Sequence, residues 1–414
     1  MAIVYEDMVL IKYAEKEGDN TLITISCPDK IGLGCDLCRV LFQFGLTIDK
    51  ADFSTDGRWC YLVFWVVGKQ TTRWSLLKER MLNVCPICLP ELSKIYYYKS
   101  QFEKPTSSNL FLLKFFLNND QSTLLHDVTK VLNELELTIR RVKVSTTPEE
   151  RIVNLFFVID TRDELHTKKR QDETISLLND TIGVDMITCE IKPVGAEVST
   201  SNSFIPREEE MYSLFCLPNE IEKNDVGLFV SSPVSITLDN TLSPSHSRIQ
   251  IVCQNRKGLV YDVMRTLKDN NIKVCHGRFF TKVNCEFDLL VMRIVDEDKQ
   301  NELCSRLRME LLCPLRMETM RRGPNNNTEL IVVNPVEVLS NRGRPLVFHD
   351  ITHGLKSLDV GIFWVEIVRH RIHDQEWEVY KILLDDHDDD GDEDIPFSRN
   401  VIEDCVRKKL MSWE

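Results

Sequence analysis

The chain repeats one short pattern four times, and this repetition restricts its fold more than any other sequence feature. An aspartate recurs with a hydrophobic residue three positions before it and another ten positions after it, at Asp36, Asp127, Asp262 and Asp350. The intervals between these aspartates are 91, 135 and 88 residues. A recurrence on this scale indicates several copies of one supersecondary unit. We therefore expect four structural copies, numbered one to four along the chain.

The elements of a copy are predicted most clearly around Asp36. A β-rich stretch at 22–27 leads into a turn containing Gly32, and apolar residues at helical spacing follow from Leu33. Two further strand-like runs flank the Asp56-Gly57 dipeptide, which is a strong hairpin signal. A second amphipathic helix and a last strand at 95–98 complete the order βαββαβ. The sequence thus predicts an α+β chain of four tandem ferredoxin-like βαββαβ domains with antiparallel sheets, arranged as two pairs.

The repeat register also sets the expected domain boundaries. The predicted domains span 20–100, 108–193, 233–323 and 328–414, and a linker rich in Ser, Thr, Pro and Glu spans 194–232. In a ferredoxin-like unit both helices cover one face of the sheet, so the other face is available to a second copy. An even number of copies is therefore expected, with copies one and two on one side of the linker and three and four on the other.

Composition excludes several classes of protein. The 51 basic and 64 acidic residues give a net charge of −13, which argues against a general nucleic-acid binder. Eight carboxylates lie within 385–394, so the other residues sum to −13 + 8 = −5. The longest uninterrupted apolar run, Trp59–Val67, is far shorter than the ~20 residues of a membrane-spanning helix. No membrane association is expected.

Cysteine usage indicates the expected compartment. The chain has 14 cysteines and no recognisable secretory or transit peptide at its N-terminus. Unpaired cysteines in this number are typical of a reducing compartment. We expect a cytoplasmic protein or a nuclear one, and the sequence does not separate the two.

The turn between the first strand and first helix is the best candidate ligand site. Gly32 in copy one and Gly258 in copy three let the backbone approach a ligand closely, and the following helix N-terminus favours a carboxylate. Asp29 and Asn255 can accept hydrogen bonds from an ammonium group. An amino acid carries both charges and so matches this turn. The alternative is a plain helix cap, in which Asp29 and Asn255 satisfy backbone donors.

Two stretches of the chain resemble a known family. The sequence Asp29-Lys30-Ile31-Gly32-Leu33 resembles the signature turn of ACT domains, which are ligand-sensing βαββαβ modules. The stretch 233–259 is similar to the start of an ACT repeat in plant ACT-domain-repeat proteins and in the sensor regions of bacterial uridylyltransferases. Those families have Asp-Arg-Pro-Gly-Leu where this chain has Asn255-Arg256-Lys257-Gly258-Leu259. The resemblance covers nearly the whole chain, although copies two and four lack the Gly-Leu pair.

The resemblance implies a non-catalytic, amino-acid-binding sensor without a cofactor. The ligand-binding residues that it implies are Asp29, Lys30, Gly32, Leu33, Asn255, Arg256, Gly258 and Leu259. The expected partners are a small-molecule amino acid, an unidentified protein and a second copy of the chain in a homodimer. The alternative is an interaction scaffold whose ACT-like repeats have degenerate ligand sites. A uridylyltransferase is not expected, because only about twenty residues precede copy one and leave no room for a nucleotidyltransferase domain.

Three other patterns are weaker candidates for a metal site. His126-Asp127 and His349-Asp350 resemble the paired ligands of metal-dependent phosphohydrolases, but both aspartates occupy the regular helix position of the repeat. The acidic stretch 385–394 resembles a calcium loop. When Asp386 takes position one, however, Phe397 occupies position twelve, where an EF-hand needs a bidentate Glu. We interpret these patterns as helix register and as a solvated loop.

Two Cys-x-x-Cys pairs complete the set of candidates, Cys35/Cys38 and Cys85/Cys88. They are separated by 46 residues, against about 15–20 in the usual zinc site with two such pairs. Cys85-Pro86-Ile87-Cys88 also looks like a dithiol redox motif, so a thiol enzyme stays open as a third hypothesis. We expect no metal site and interpret most cysteines as small buried apolar residues.

Overall fold

The computed structural model divides the chain into two compact units. It describes residues 5–86 (except 17), 110–118, 125–146, 151–194 (except 161, 163, 184 and 185), 234–322 (except 282 and 283), 327–385 (except 373 and 374) and 399–413. Unit 1 comprises 1–99 and 219–314, and unit 2 comprises 100–218 and 315–412. Copies one and three therefore belong to unit 1, and copies two and four belong to unit 2.

Each copy contributes four strands and two helices to its unit among the described residues. Copy one contains β1 (Val9–Lys12), β2 (Thr21–Pro28), α1 (Leu33–Gln43), β3 (Thr47–Thr55), β4 (Trp59–Val67) and α2 (Trp74–Val84). Copy two contains β5 (Leu110–Asn118), α3 (Leu125–Glu134), β6 (Leu137–Thr146), β7 (Arg151–Asp160), α4 (Lys168–Ile182) and β8 (Met186–Pro193). Copy three contains β9 (Ser235–Asp239), β10 (His246–Cys253), α5 (Leu259–Asp269), β11 (Val274–Thr281), β12 (Cys285–Met292) and α6 (Glu297–Leu312). Copy four contains β13 (Arg316–Arg322), β14 (Asn327–Pro335), α7 (Val347–Ser357), β15 (Gly361–Ile372), β16 (Gln375–Asp385) and α8 (Arg399–Met411).

Copies one and three join edge to edge into one antiparallel sheet. Its strand order is β1-β2-β4-β3-β11-β12-β10-β9, and the central pair β3–β11 aligns Ala51 with Phe279 and Asp52 with Arg278. Helices α1 and α5 pack against each other beside this central pair. The predicted α+β class with antiparallel sheets in two pairs is confirmed. The sequence argument expected each copy to bury its open sheet face, whereas within unit 1 the copies pair through strand edges.

Copies two and four form an equivalent sheet in unit 2. Its order is β13-β14-β16-β15-β6-β7-β5-β8, and β15 meets β6 with Val365 opposite Val142. Helices α3 and α7 pack against each other there. In both units the partners are therefore alternate copies rather than copies adjacent in the chain.

The position of the edge strand in the chain differs among the copies. Copy two has the predicted order βαββαβ, with β8 last. The described parts of copies one, three and four have the order ββαββα, with β1, β9 and β13 first. In every copy this edge strand pairs with the strand that precedes the first helix, so the spatial arrangement is the same. The predicted last strand of copy one, 95–98, lies outside the described residues.

The core follows from two periodicities in the sequence. In β2 every second side chain is buried, including Ile23 and Ile25, because alternate residues point to the same face of a strand. In α1 the buried stripe includes Leu37 and Leu41, which are four residues apart. Each such side chain contributes about 1.5–3 kcal/mol when it is fully buried.

Several predicted features lie outside the described residues, and the domain boundaries stay a prediction. These features are residues 195–232 of the predicted linker, the acidic residues 386–394, Cys88 and residues 119–124, where the turn of copy two is expected. Within the part of the chain that is described, no helix combines the length and apolar character needed to cross a bilayer.

Candidate functional site

The copy-one turn, residues 29–33, is built around Gly32. This glycine is the N-cap of α1 and has φ 77° and ψ 9°, a left-handed conformation that disfavours side chains. A Cβ at this position would lie 2.7–2.9 Å from three side-chain carbons of Lys268 in α5. The backbone conformation therefore favours glycine, and an added Cβ would also have to displace the Lys268 side chain of copy three.

A cavity of about 50 Å³ lies beside the copy-one turn. That volume holds about three or four water molecules. Both copies of unit 1 line it: Asp29, Lys30, Gly32 and Leu33 come from copy one, and Met264, Leu267, Lys268 and Lys273 are among the residues from copy three. Its walls are mainly apolar with a few charged groups, as in most small-molecule sites.

Asp29 is held by three partners at the edge of the cavity, and none of them belongs to α1. The Thr55 hydroxyl donates to Oδ2 at 2.9 Å, and the Cys60 thiol donates to Oδ1 at 3.0 Å. Lys273 of copy three lies 3.1 Å from Oδ2. The side chain is only 7% exposed. These contacts differ from those of a plain helix cap, in which Asp29 would accept hydrogen bonds from backbone N–H groups.

Asp29 also affects the neighbouring thiol. The pKa of Cys60 is raised to about 12, chiefly because burial disfavours the thiolate and further because the Asp29 carboxylate accepts its hydrogen bond. Cys60 is therefore a neutral hydrogen-bond donor at physiological pH, and it orients the carboxylate rather than reacting.

A second carboxylate, Asp36 in the first turn of α1, joins the two copies. Its Oδ2 lies 2.8 Å from Lys30 Nζ, and its Oδ1 accepts a hydrogen bond of 2.6 Å from Lys268 Nζ. The side chains of Asp36 and Lys268 are 6% and 4% exposed. With Asp29 and Lys273, the site has two carboxylates and three ammonium groups, a net charge of +1. That charge and the positive end of α1 favour a ligand with a carboxylate.

The copy-three turn, residues 255–259, has the same backbone but different side-chain contacts. Gly258 has φ 76° and ψ 6°, and Arg256 pairs with Asp262 as Lys30 pairs with Asp36. Arg256 also donates to the Glu310 carbonyl oxygen at 2.7 Å, so its guanidinium is bound within its own copy. Asn255 is exposed.

The eight residues implied by the resemblance thus divide by copy. The cavity is lined by Asp29, Lys30, Gly32 and Leu33, whereas Asn255, Arg256, Gly258 and Leu259 do not line it. Sequence reasoning missed Lys268 and Lys273 because they come from copy three. A pattern within one copy carries no signal for residues that its partner supplies.

The copy-four turn has no glycine at the corresponding position. Leu346 is the N-cap of α7 with φ 63°, and its side chain is buried. Arg344 beside it is buried too, and a Cβ at Gly343 would overlap the Glu378 carboxylate. The turn is therefore occupied by protein side chains.

The described cysteines act mainly as buried apolar residues. Seven of these twelve are buried, and no disulfide joins any of the twelve. Burial raises the pKa of Cys38. The pKa of Cys85 is lowered, chiefly because the Cys27 thiol donates a hydrogen bond to it, but Cys85 is itself buried.

Three family models match the chain and together cover most of it. Residues 11–86 match the N-terminal domain of the ACT domain-containing protein ACR10. Residues 235–325 match the ACR9-like ACT-like domain, and 328–412 match the C-terminal domain of the ACT domain-containing protein ACR9.

Two proteins from Arabidopsis thaliana are similar over their full length. The ACT domain-containing protein ACR10 is 48% identical over 423 residues, and ACR9 is 44% identical over 431 residues, with 100% of both chains covered in each case. A solved aspartate kinase from Synechocystis is 13% identical and covers 95% of this chain and 54% of its own, but its TM-score of 0.18 is too low for a structural comparison. The repeated fold, the glycine turns and these two full-length relatives place the chain in the plant family of ACT domain-containing repeat proteins.

Proposed function

We propose that this protein is a non-catalytic sensor that binds a small amino acid in the cavity beside Gly32. The observation that carries this proposal is the mixed charge of that cavity. One carboxylate and three lysines from two copies surround a small apolar space at the N-terminus of α1. A zwitterion can satisfy both signs of charge in such a site.

The contacts suggest an orientation for the ligand. Its ammonium group takes the place of Lys273 Nζ on Asp29, close to the Thr55 hydroxyl. Its carboxylate lies towards Lys30 and the first turn of α1, where helix N–H groups lack intrahelical acceptors. Phe53, Leu62 and other apolar residues line the remaining wall. The volume of about 50 Å³ favours a small aliphatic side chain.

The same geometry supplies a regulatory mechanism. A ligand in this cavity contacts copy one and copy three at once, so it stabilises the paired arrangement of unit 1. A ligand changes a conformational equilibrium only when it binds one arrangement more tightly than another. The binding of a protein partner that recognises the paired arrangement then depends on the ligand concentration.

The test is isothermal titration calorimetry of the purified chain against all twenty amino acids, with thermal unfolding as a second measurement. A ligand present at 100 times its Kd adds about 2.7 kcal/mol to the stability of the folded state. Asp29→Asn should abolish binding because it removes the charge that holds the ammonium group. Asn255→Ala is the matched control at the equivalent position of copy three and should bind normally. If none of the twenty amino acids gave a heat of binding or changed the melting temperature, the proposal would be contradicted.

A scaffold is the second candidate function. It is favoured by the copy-three turn, where Arg256 is bound to Asp262 and the Glu310 carbonyl, and by the copy-four turn, where Leu346 and Arg344 are buried. Gly32→Asp separates the two functions. In a sensor it should abolish amino-acid binding, whereas a scaffold should capture its protein partner as well as the unchanged chain does.

A further inference from the structure

A β-bulge lies at the same repeat position in every copy. It interrupts the first strand after the first helix, and in β6 the register shift falls between Ile139 and Arg141. Strands β3, β11 and β15 have matching shifts. The bulge residue stands thirteen positions after the repeat aspartate, and it is Arg140 in copy two. Since a bulge redirects the side chain of a strand residue, the bulge of β6 redirects an arginine.

The bulge residue of one copy is close to the turn of its partner copy. In unit 1 the pKa of Cys275, the bulge residue of copy three, is raised chiefly because burial disfavours the thiolate and further because the Asp29 carboxylate of the copy-one turn lies nearby. Strand β6 pairs with β15 in unit 2 as β11 pairs with β3 in unit 1. Arg140 therefore has the equivalent position beside the copy-four turn.

Arg140 lies close to a second arginine where copies two and four meet. The pKa of Arg140 is lowered, chiefly because burial disfavours its charged form and further because the Arg369 guanidinium of copy four lies nearby. Arginine stays protonated at physiological pH, so two positive charges lie close together. Glu378 and Glu376 offset part of their repulsion. We refer to Arg140 and Arg369 as the arginine pair.

The two members of the arginine pair differ in their own contacts. Arg369 Nη2 donates to Glu378 Oε1 at 2.6 Å, and the Arg369 side chain is 12% exposed. Its Nε is buried and has no hydrogen-bond partner in the described structure. Arg140 is half-buried, and no hydrogen bond or direct ion pair joins its side chain to any residue that the structure describes. The guanidinium donors of Arg140 are thus available to a bound molecule.

The charges around the arginine pair have a positive excess. Arg162 of copy two and Arg342 of copy four both contact the single carboxylate of Glu136, at 2.7 and 3.3 Å. The arginine pair itself is near two carboxylates, those of Glu376 and Glu378. Four guanidinium groups and three carboxylates give a net charge of +1, which favours an anion as ligand.

Copy four also lacks the carboxylate that favours an ammonium group in copy one. Gly343 occupies the repeat position of Asp29, seven residues before the repeat aspartate. The Glu378 carboxylate beside Gly343 already accepts hydrogen bonds from Arg369 and from the Tyr380 hydroxyl. The site therefore suits an anion better than an amino acid.

From this geometry we infer that the arginine pair binds an oxyanion of the phosphate class between copies two and four, either inorganic phosphate or the phosphate group of a small molecule. The planar donor fork of arginine matches the oxygens of phosphate, which can accept hydrogen bonds from two guanidinium groups at once. A phosphate group carries a charge of about −1.5 to −2 at pH 7, which offsets the repulsion within the pair. This site is in unit 2 and does not depend on amino-acid binding in unit 1.

The test uses the full chain in a buffer without phosphate or sulfate. Inorganic phosphate, glycerol 3-phosphate and acetate are titrated separately by calorimetry at constant ionic strength. We expect saturable binding of one equivalent of phosphate or of glycerol 3-phosphate, and the one that binds more tightly indicates the source of the phosphate group. Acetate should bind at least tenfold more weakly, because a carboxylate has only two oxygens for the two guanidinium groups.

Variants of Arg140 test its role in this binding. Arg140→Met should weaken phosphate binding at least tenfold, and Arg140→Lys should weaken it less because the positive charge is kept. Arg321→Met is the matched control, because Arg321 is an exposed arginine of the same unit, and it should bind as the unchanged chain does.

Hydrogen exchange locates the site without any variant. Phosphate should slow exchange in peptides of β6 and β15 and leave peptides of β3 and β11 unchanged. The inference is overturned if neither phosphate compound binds, if acetate binds as tightly, or if Arg140→Met binds like the unchanged chain. Protection of β3 and β11 instead would also overturn it, because the anion would then be bound by the lysines of unit 1.

Discussion

The two glycine turns of unit 1 have nearly the same backbone and differ in what the partner copy places against them. Gly32 and Gly258 have φ values of 77° and 76°, and each begins a helix with a buried aspartate in its first turn. Lys268 of copy three reaches Asp36, whereas the position equivalent to Lys268 in copy one is Phe42. The turn of copy one therefore has a lysine of the partner copy beside it, whereas the turn of copy three has no lysine at the equivalent position. The repeat sets the backbone of a turn, and the partner copy sets its chemistry.

The largest expected effect comes from removing the carboxylate that joins the copies. Asp36→Asn removes the carboxylate charge that lies 2.6 Å from the buried Lys268 ammonium group, and removal of one partner from a buried ion pair costs about 3–5 kcal/mol. Asp262→Asn is the matched change in copy three. It weakens the contact with Arg256, as Asp36→Asn weakens the contact with Lys30, but it should cost at least about 1 kcal/mol less because Phe42 stands at the position equivalent to Lys268. Urea unfolding, with hydrogen exchange of unit 1 peptides, measures both. Equal losses of stability in the two variants would contradict the difference between the two turns. The double variant Asp36→Asn with Lys268→Met should recover part of the stability that Asp36→Asn loses.

A smaller effect is expected from filling the two glycine positions. Gly32→Ala and Gly258→Ala each place a side chain in a left-handed conformation, which costs about 1–2 kcal/mol. At Gly32 the added Cβ also meets Lys268, so Gly32→Ala should cost more in thermal unfolding. This excess should fall when Lys268→Ala is combined with Gly32→Ala. An excess that stays unchanged would show that Lys268 does not restrict the turn.

The pKa of the Cys60 thiol should distinguish the copy-one turn from the copy-three turn by a smaller effect. The pKa of Cys60 in the folded state, about 12, lies above the ordinary value of 9.0. The contribution of Cys60 to the free energy of unfolding is therefore complete below pH 9 and is lost as the pH rises from 9 towards 12. Asp29→Asn should lower this pKa because it removes a negative charge beside the thiolate. Alkylation rates of Cys60 against pH, followed by mass spectrometry, measure the change. The equivalent Cys285 in copy three should not respond, and a parallel shift there would contradict a local role for Asp29.

The smallest effect is expected at the exposed position of the copy-three turn. Asn255→Ala should change the free energy of unfolding by no more than about 0.5 kcal/mol, as exposed substitutions usually do. Chemical unfolding measures this value. A loss well above 1 kcal/mol would show that Asn255 has a buried role, and the contrast between the two turns would then be weaker.

The contact between His126 of copy two and His353 of copy four shows what sequence patterns leave out. The His126-Asp127 and His349-Asp350 dipeptides were visible in the sequence, and the helix register of the repeat explained both aspartates. Register did not reveal that α3 and α7 would place His126 beside His353. Two helix positions more than 200 residues apart meet only because alternate copies pair.

The sequence by itself determined the four-fold repeat, the α+β class, the positions of several elements and the two glycine turns. These features depend on local periodicity, on the conformational freedom of glycine and on the burial of apolar faces. Residues close together in the chain determine all three. The Asp56-Gly57 dipeptide, for example, lies between β3 and β4, where the sequence predicts a hairpin turn.

Only the tertiary structure decided which copies pair and therefore which residues form the site. Every copy offers a β-rich edge strand, so the hydrogen-bonding edges alone do not choose a partner. The choice depends on contacts between distant side chains, such as Lys268 with Asp36 and Arg39 with Tyr261. Because these contacts join residues separated by more than 200 positions, no local pattern contains them. The cavity beside Gly32 exists for the same reason, since copy three supplies half of its charged groups.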